Sequence, residues 1–174
     1  MVLPLGRAAT TKGRMSTSST LQVIHKILTQ KNWTISTAES LTAGWISATL
    51  ASQSGSSAYL RGGVTAYTLD AKVALLGVDR DMAIKCNCVS SETALQMALG
   101  ARKVFGTECV IAVTGYAEKP VTPYEGPFVH YVVLCRDKTV VGVVQGGFRS
   151  RNQVRRLVVN VTLRVLVDVL RGAC

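Results

Sequence analysis

Histidine, acidic residues and long apolar runs are scarce in this 174-residue chain. Its only histidines are His25 and His130, one in a helical pattern and one in a strand pattern. Neither has an obvious third partner, so a Ser/His/Asp triad is excluded. No apolar run approaches the roughly 20 uncharged residues needed to cross a bilayer. The longest, near the C-terminus, is interrupted by Arg164, Asp168 and Arg171, so no membrane association is expected. The five cysteines (Cys86, Cys88, Cys109, Cys135, Cys174) form an odd set without the spacing of a disulfide framework. Cys86 and Cys88 are closer than a zinc knuckle allows, and no histidine stands at ligand spacing. Neither a metal site nor a cofactor is expected. The thiols read as reduced, buried or incidental, which fits a cytoplasmic protein.

Apolar residues make up 48% of the chain and charged residues 17%. That balance supports a single domain with a substantial core and argues against global disorder. The formal charge of +10 draws polyanions, whether phosphorylated metabolites or nucleic acid. Part of the excess lies in a basic, Ser/Thr-rich opening stretch with Arg7, Lys12 and Arg14, and no acidic residue precedes Glu39. Residues 1–18 are expected to be a disordered tail and 19–174 the folded domain. Should residues 1–20 act as a transit peptide, the location becomes mitochondrial.

Leu21, Ile24, Ile27 and Leu28 recur at helical spacing, predicting a helix to about Gln30. A short strand is expected at 33–36, a helix from about Ser40 to Ser52, and a strand at 64–67. Further helices are expected at 72–76 and, capped by Ser90 or Ser91, at 92–105. Cys109 to Thr114 reads as a buried strand. Two more strands at 128–135 and 139–145 flank a hairpin, and a helix spans 152–170, with Val154, Val158, Val161, Val165 and Val169 forming its apolar face. Helices alternating with strands imply an α/β fold, a three-layer α/β/α domain with a mixed, mostly parallel sheet.

Three clusters carry chemistry. Thr37-Ala38-Glu39-Ser40-Leu41-Thr42-Ala43-Gly44 joins a strand to a helix, where free backbone N–H groups can face an anion; an ordinary Ser/Thr helix cap has the same composition. Gly55-Ser56-Ser57 is followed by Tyr67 and Lys72. Lysine can deprotonate a serine hydroxyl when burial lowers its pKa. Val113-Thr114-Gly115 ends a strand, and Phe148-Arg149-Ser150-Arg151 precedes the last helix with arginines suited to phosphate.

In order, TAES-x-TAG, GSSAYLRGGVTAYTLDAK, LLGV, VSSETALQMALGAR, VTG and FRSRNQVR closely resemble the C-terminal domain of the competence/damage-inducible protein CinA, over about Leu21 to Leu170. The resemblance implies hydrolysis of the carboxamide of nicotinamide mononucleotide to nicotinate mononucleotide and ammonia. By motif it implies Ser57 as nucleophile, Lys72 as base and Tyr67 as support. Ser40, Thr42, Thr114, Gly115 and Arg151 are assigned to the substrate and its phosphate. It also implies a homodimer or higher homo-oligomer. One stretch departs from the family: a glycine-rich loop after VTG is replaced by Tyr116-Ala117-Glu118-Lys119-Pro120-Val121-Thr122-Pro123-Tyr124-Glu125-Gly126-Pro127-Phe128. That change makes a nucleotide-binding homologue with weak or no amidase activity the competing expectation. Specific nucleic-acid binding is not expected, because Arg151, Arg155, Arg156, Arg164 and Arg171 scatter around the last helix instead of forming a stripe.

Overall fold

The structure is a computed structural model that describes residues 15–119 and 126–172. Its elements alternate from the start. Helix α1 (Thr17–Lys31), strand β1 (Ile35–Glu39) and helix α2 (Trp45–Ala51) lead to strand β2 (Leu60–Thr65). Helices α3 (Leu69–Leu76), α4 (Arg80–Lys85) and α5 (Ser91–Phe105) precede strands β3 (Cys109–Gly115), β4 (Phe128–Cys135) and β5 (Lys138–Gln145), and α6 (Arg151–Arg171) closes the chain. The five strands form one sheet in the order β2-β1-β3-β4-β5. β1 pairs in parallel with both β2 and β3, whereas β3–β4 and β4–β5 are antiparallel. Four strands therefore run one way and β4 alone runs against them, giving the expected mixed, mostly parallel sheet.

Two apolar layers cover the sheet. α1, α2 and α6 pack Leu21, Ile24, Leu28, Ile46, Leu50, Val154, Val158 and Leu166 against Ile35, Ile111, Val113 and Val133. On the other face α3, α4 and α5 bring Leu76, Ala83, Ala94, Met97 and Ala98 against Ala38, Val110, Ala112 and Val132. β3 supplies both sets by alternation, which is why its sequence reads as continuously apolar. On α6, Val154, Val158 and Val169 are buried as expected, and Val161 and Val165 pack at the margin of the core.

Local chemistry explains where the elements begin. Ser16 caps α1 by accepting from the Ser19 amide, so the helix starts before the expected Leu21. Thr17 then donates to Asn160 of α6, and Arg164 donates to the Met15 carbonyl. Residues 15–18 thus belong to the domain, which corrects the expected tail boundary; residues 1–14 lie outside the described residues. α2 starts five residues later than expected. Ala43 (φ 48°) and Gly44 (φ 89°) adopt left-handed backbone, so Ser40 to Gly44 form a turn instead of a first helical turn. α4 had no sequence signal strong enough to be expected; Asp79 caps it through the Met82 amide.

The thiols also require a correction. Cys109 and Cys135 face each other in the β3–β4 ladder, are both buried and are joined as a disulfide. Antiparallel register brings them together across 26 residues, a pairing that spacing alone does not reveal. Cys86 and Cys88 are free and half-buried; Cys174 lies outside the described residues.

Candidate functional site

The strand order reverses direction between β1 and β3, because β2 lies on one side of β1 and β3 on the other. Crevices at the carboxyl ends of strands at such a switch point are where open α/β sheets bind ligands. A cavity of about 480 Å³ opens there. Ser40, Leu41, Tyr67, Leu69, Lys72 and Asn87 line one part of it; Cys88, Val89, Thr114 to Lys119 and Arg151 line the rest.

Lys72 is the centre of the polar network. It is 2% exposed, and its Nζ lies 3.2 Å from Ser40 Oγ, 2.9 Å from the Ala66 carbonyl and 3.3 Å from the Tyr67 carbonyl. Burial holds its pKa below the ordinary lysine range, with the nearby Cys88 thiolate opposing that shift. Nζ donates all three bonds, to the two carbonyls and to Ser40 Oγ. Ser40 follows the last residue of β1 and is itself buried, so the pair is shielded from bulk water.

Glu39 anchors the turn beneath Ser40. Its carboxylate is 1% exposed and accepts from the amides of Ile46 and Ser47 and from the Thr37 hydroxyl. This satisfies first-turn donors of α2 that the left-handed turn leaves without a side-chain cap. Arg155 holds the same turn from α6: its Nη2 donates to the Thr42 carbonyl at 2.9 Å, and the guanidinium stacks on Trp45 at 3.7 Å.

The mouth is polar. Tyr67 is 52% exposed, and its hydroxyl accepts from Arg151 Nη2 at 2.7 Å. The other arm of Arg151 reaches Glu118 Oε2 at 3.4 Å. The Thr114 hydroxyl donates to the Cys88 carbonyl at 2.7 Å, which ties β3 to the left-handed pair Asn87 and Cys88. Burial pushes the Cys88 thiol up, and the Lys72 ammonium partly offsets this. A side chain on Gly115 would collide with the Phe128 carbonyl and Val129, so this wall position needs glycine.

The structure brings Ser40, Tyr67, Lys72, Thr114, Gly115 and Arg151 together and leaves two expected residues out. Ser57 lies in an exposed 3-10 turn before β2. Lys72 belongs to the opposite, carboxyl end of that strand, and six residues at about 3.3 Å each separate the two edges of the sheet. Within the chain Ser57 therefore does not meet Lys72, and the expected Ser57–Lys72 pair is not formed. Thr42 is fully buried behind the turn and does not line the cavity; its carbonyl serves Arg155. Tyr67 supports Lys72 through its backbone carbonyl, while its hydroxyl serves Arg151. Asn87, Cys88 and Glu118 were missed. They arrive from turns whose geometry has no periodic signal, although asparagine is a frequent left-handed residue.

The sequence pattern of the CinA C-terminal domain matches residues 17–170. The chain belongs to the CinA C-terminal domain family. A CinA-like protein of Mycolicibacterium gilvum is 49% identical over 146 residues, 80% of this chain and 33% of the relative. A putative competence-damage inducible protein of Desulforamulus reducens is 37% identical over 154 residues, 87% of this chain and 37% of the relative. The chain thus spans about a third of the length of these two relatives. Among solved structures, competence/damage inducible protein CihA from Agrobacterium tumefaciens superposes with a TM-score of 0.83 at 31% identity, covering 94% of this chain and 99% of that one. The competence damage-inducible protein A from Klebsiella pneumoniae, at 24% identity and a TM-score of 0.84, covers 90% and 98% and shares the fold.

Proposed function

We propose that this CinA domain hydrolyses the carboxamide of nicotinamide mononucleotide, giving nicotinate mononucleotide and ammonia, with Ser40 as nucleophile and Lys72 as base. The observation that carries the reading is the buried contact of 3.2 Å between Lys72 Nζ and Ser40 Oγ at the head of the cavity. The activity itself comes from the family resemblance.

The steps balance with this pair alone. Ser40 Oγ attacks the amide carbon as its proton passes to the neutral Lys72 amine, and backbone N–H groups of the turn after Ser40 stabilise the oxyanion. Collapse of the tetrahedral intermediate expels ammonia, which leaves with the proton held on Lys72. Water, deprotonated by Lys72, then attacks the acyl-serine, releases the carboxylate and restores Ser40. Arg151, at the mouth, takes the phosphate by charge-assisted hydrogen bonds.

The departure from the family's glycine-rich loop over residues 116–128 supports a second reading, a nucleotide-binding domain with weak or no turnover. Incubation with nicotinamide mononucleotide separates the two, with ammonia and nicotinate mononucleotide measured together. Stoichiometric release that disappears in Ser40→Ala supports the amidase. Binding without release at high protein concentration favours the second reading.

A further inference from the structure

We propose that Glu118 is a specificity-determining residue of this pocket, acting as an internal counter-ion on Arg151 that the phosphate of a substrate must displace. The proposal rests on the reading of the cavity as a pyridine-nucleotide site and assigns its selectivity between phosphorylated and unphosphorylated ligands.

Each terminal nitrogen of the Arg151 guanidinium has one partner at the mouth. Nη2 donates to the Tyr67 hydroxyl at 2.7 Å, and Nη1 faces Glu118 Oε2 at 3.4 Å. A planar guanidinium binds phosphate best with two parallel N–H groups, and the arm required for the second bond points at the carboxylate. Glu118 is the only acidic residue lining the cavity among the described residues; Lys119 and Arg151 are basic residues of the same lining. A phosphate entering the mouth therefore meets Lys119, Arg151 and one negative group, and the negative one sits on the cation best shaped to hold it. A ligand without phosphate leaves the pair in place and has nothing to displace.

The size of the effect follows from exposure. The Arg151 and Glu118 side chains are 43% and 66% exposed, so water and salt weaken the pair. Exposed pairs of this kind shift equilibria by up to about fivefold. Glu118 thus tunes phosphate affinity and leaves the Ser40–Lys72 pair, which it does not touch, unchanged.

The test measures binding by calorimetry at low salt, so that turnover is not needed as a readout. Inorganic phosphate, nicotinamide mononucleotide and nicotinamide riboside are titrated into the wild type, Glu118→Gln, Arg151→Ala and the double variant. Glu118→Gln should tighten phosphate and the mononucleotide about two- to fivefold and leave the riboside unchanged. In the Arg151→Ala background the same substitution should lose most of that gain. An unchanged phosphate affinity in Glu118→Gln overturns the proposal, as does an equal gain for the riboside. A gain for inorganic phosphate with no binding of either pyridine ligand keeps the counter-ion and overturns the pyridine-nucleotide reading instead.

Discussion

In the proposed mechanism Lys72 is a buried amine held ready as a base. Its burial disfavours the ammonium, while three acceptors within 3.3 Å still satisfy its donors when it is charged. The proposed mechanism requires the neutral form, so kcat/KM should fall as the pH drops through the depressed Lys72 pKa. A pH–rate profile should place that limb below the range of a free lysine side chain. An acid limb that survives in Lys72→Ala with undiminished rate would remove Lys72 from the mechanism. The same shift has a consequence for stability. The unfolded chain binds the proton more tightly, so Lys72 makes folding stability rise with pH between its folded and unfolded pKa values. Among variants, Ser40→Ala and Lys72→Ala should each abolish turnover, and the double variant should be scarcely worse, because residues acting as one unit are not additive. Lys72→Arg should not restore activity, since guanidinium stays protonated. Ser57→Ala, at the far edge of the sheet, should retain nearly wild-type turnover, as a steady-state assay would show.

At the scale of elements, α6 does two jobs with residues one turn apart. Arg151 meets the cavity, and Arg155 clamps the Thr42 carbonyl of the turn that presents Ser40. Arg151→Ala should therefore raise KM roughly tenfold through a lost charge-assisted contact. Arg155→Ala should mainly lower kcat, because it loosens the turn and leaves the phosphate contact in place; steady-state kinetics on both variants checks the split. α1 provides a second case. A chain cut to begin at residue 19 loses the Ser16 cap and the Thr17–Asn160 bond, and with them about 1–2 kcal/mol. Its midpoint in thermal unfolding should fall several degrees below that of a chain beginning at residue 15. Equal midpoints would return residues 15–18 to the tail.

For the whole molecule, the sheet leaves β5 at one edge, with Val143 41% exposed and Phe148 fully exposed just beyond it. An apolar edge of this kind favours association, and light scattering at micromolar concentration should give the mass of a dimer or larger homo-oligomer. A monomeric mass across that range would refute the expectation. On α6, Arg155 and Arg164 donate to backbone carbonyls of the domain, and Arg151 meets Tyr67 and Glu118.

The alternation of α1, β1, α5, β3 and α6 was legible in the residues because each carries its own apolar period or cap, and local spacing is enough to show a period. The family motifs likewise placed Ser40, Tyr67, Lys72, Thr114 and Arg151 on the short roster of chemistry-bearing positions. Which serine faces the lysine was not legible. Ser57 is nearer to Lys72 in sequence, 15 residues against 32, but a whole strand separates them, whereas parallel pairing of β1 with β2 delivers Ser40 to the same edge as Lys72. The Cys109–Cys135 pair and the contact of Glu118 with Arg151 are of the same kind. Composition and periodicity by themselves determined the layers and the outward character of this protein. Only the tertiary structure decided which polar side chains meet, because strand register and strand order set distances between residues that sequence separation does not encode.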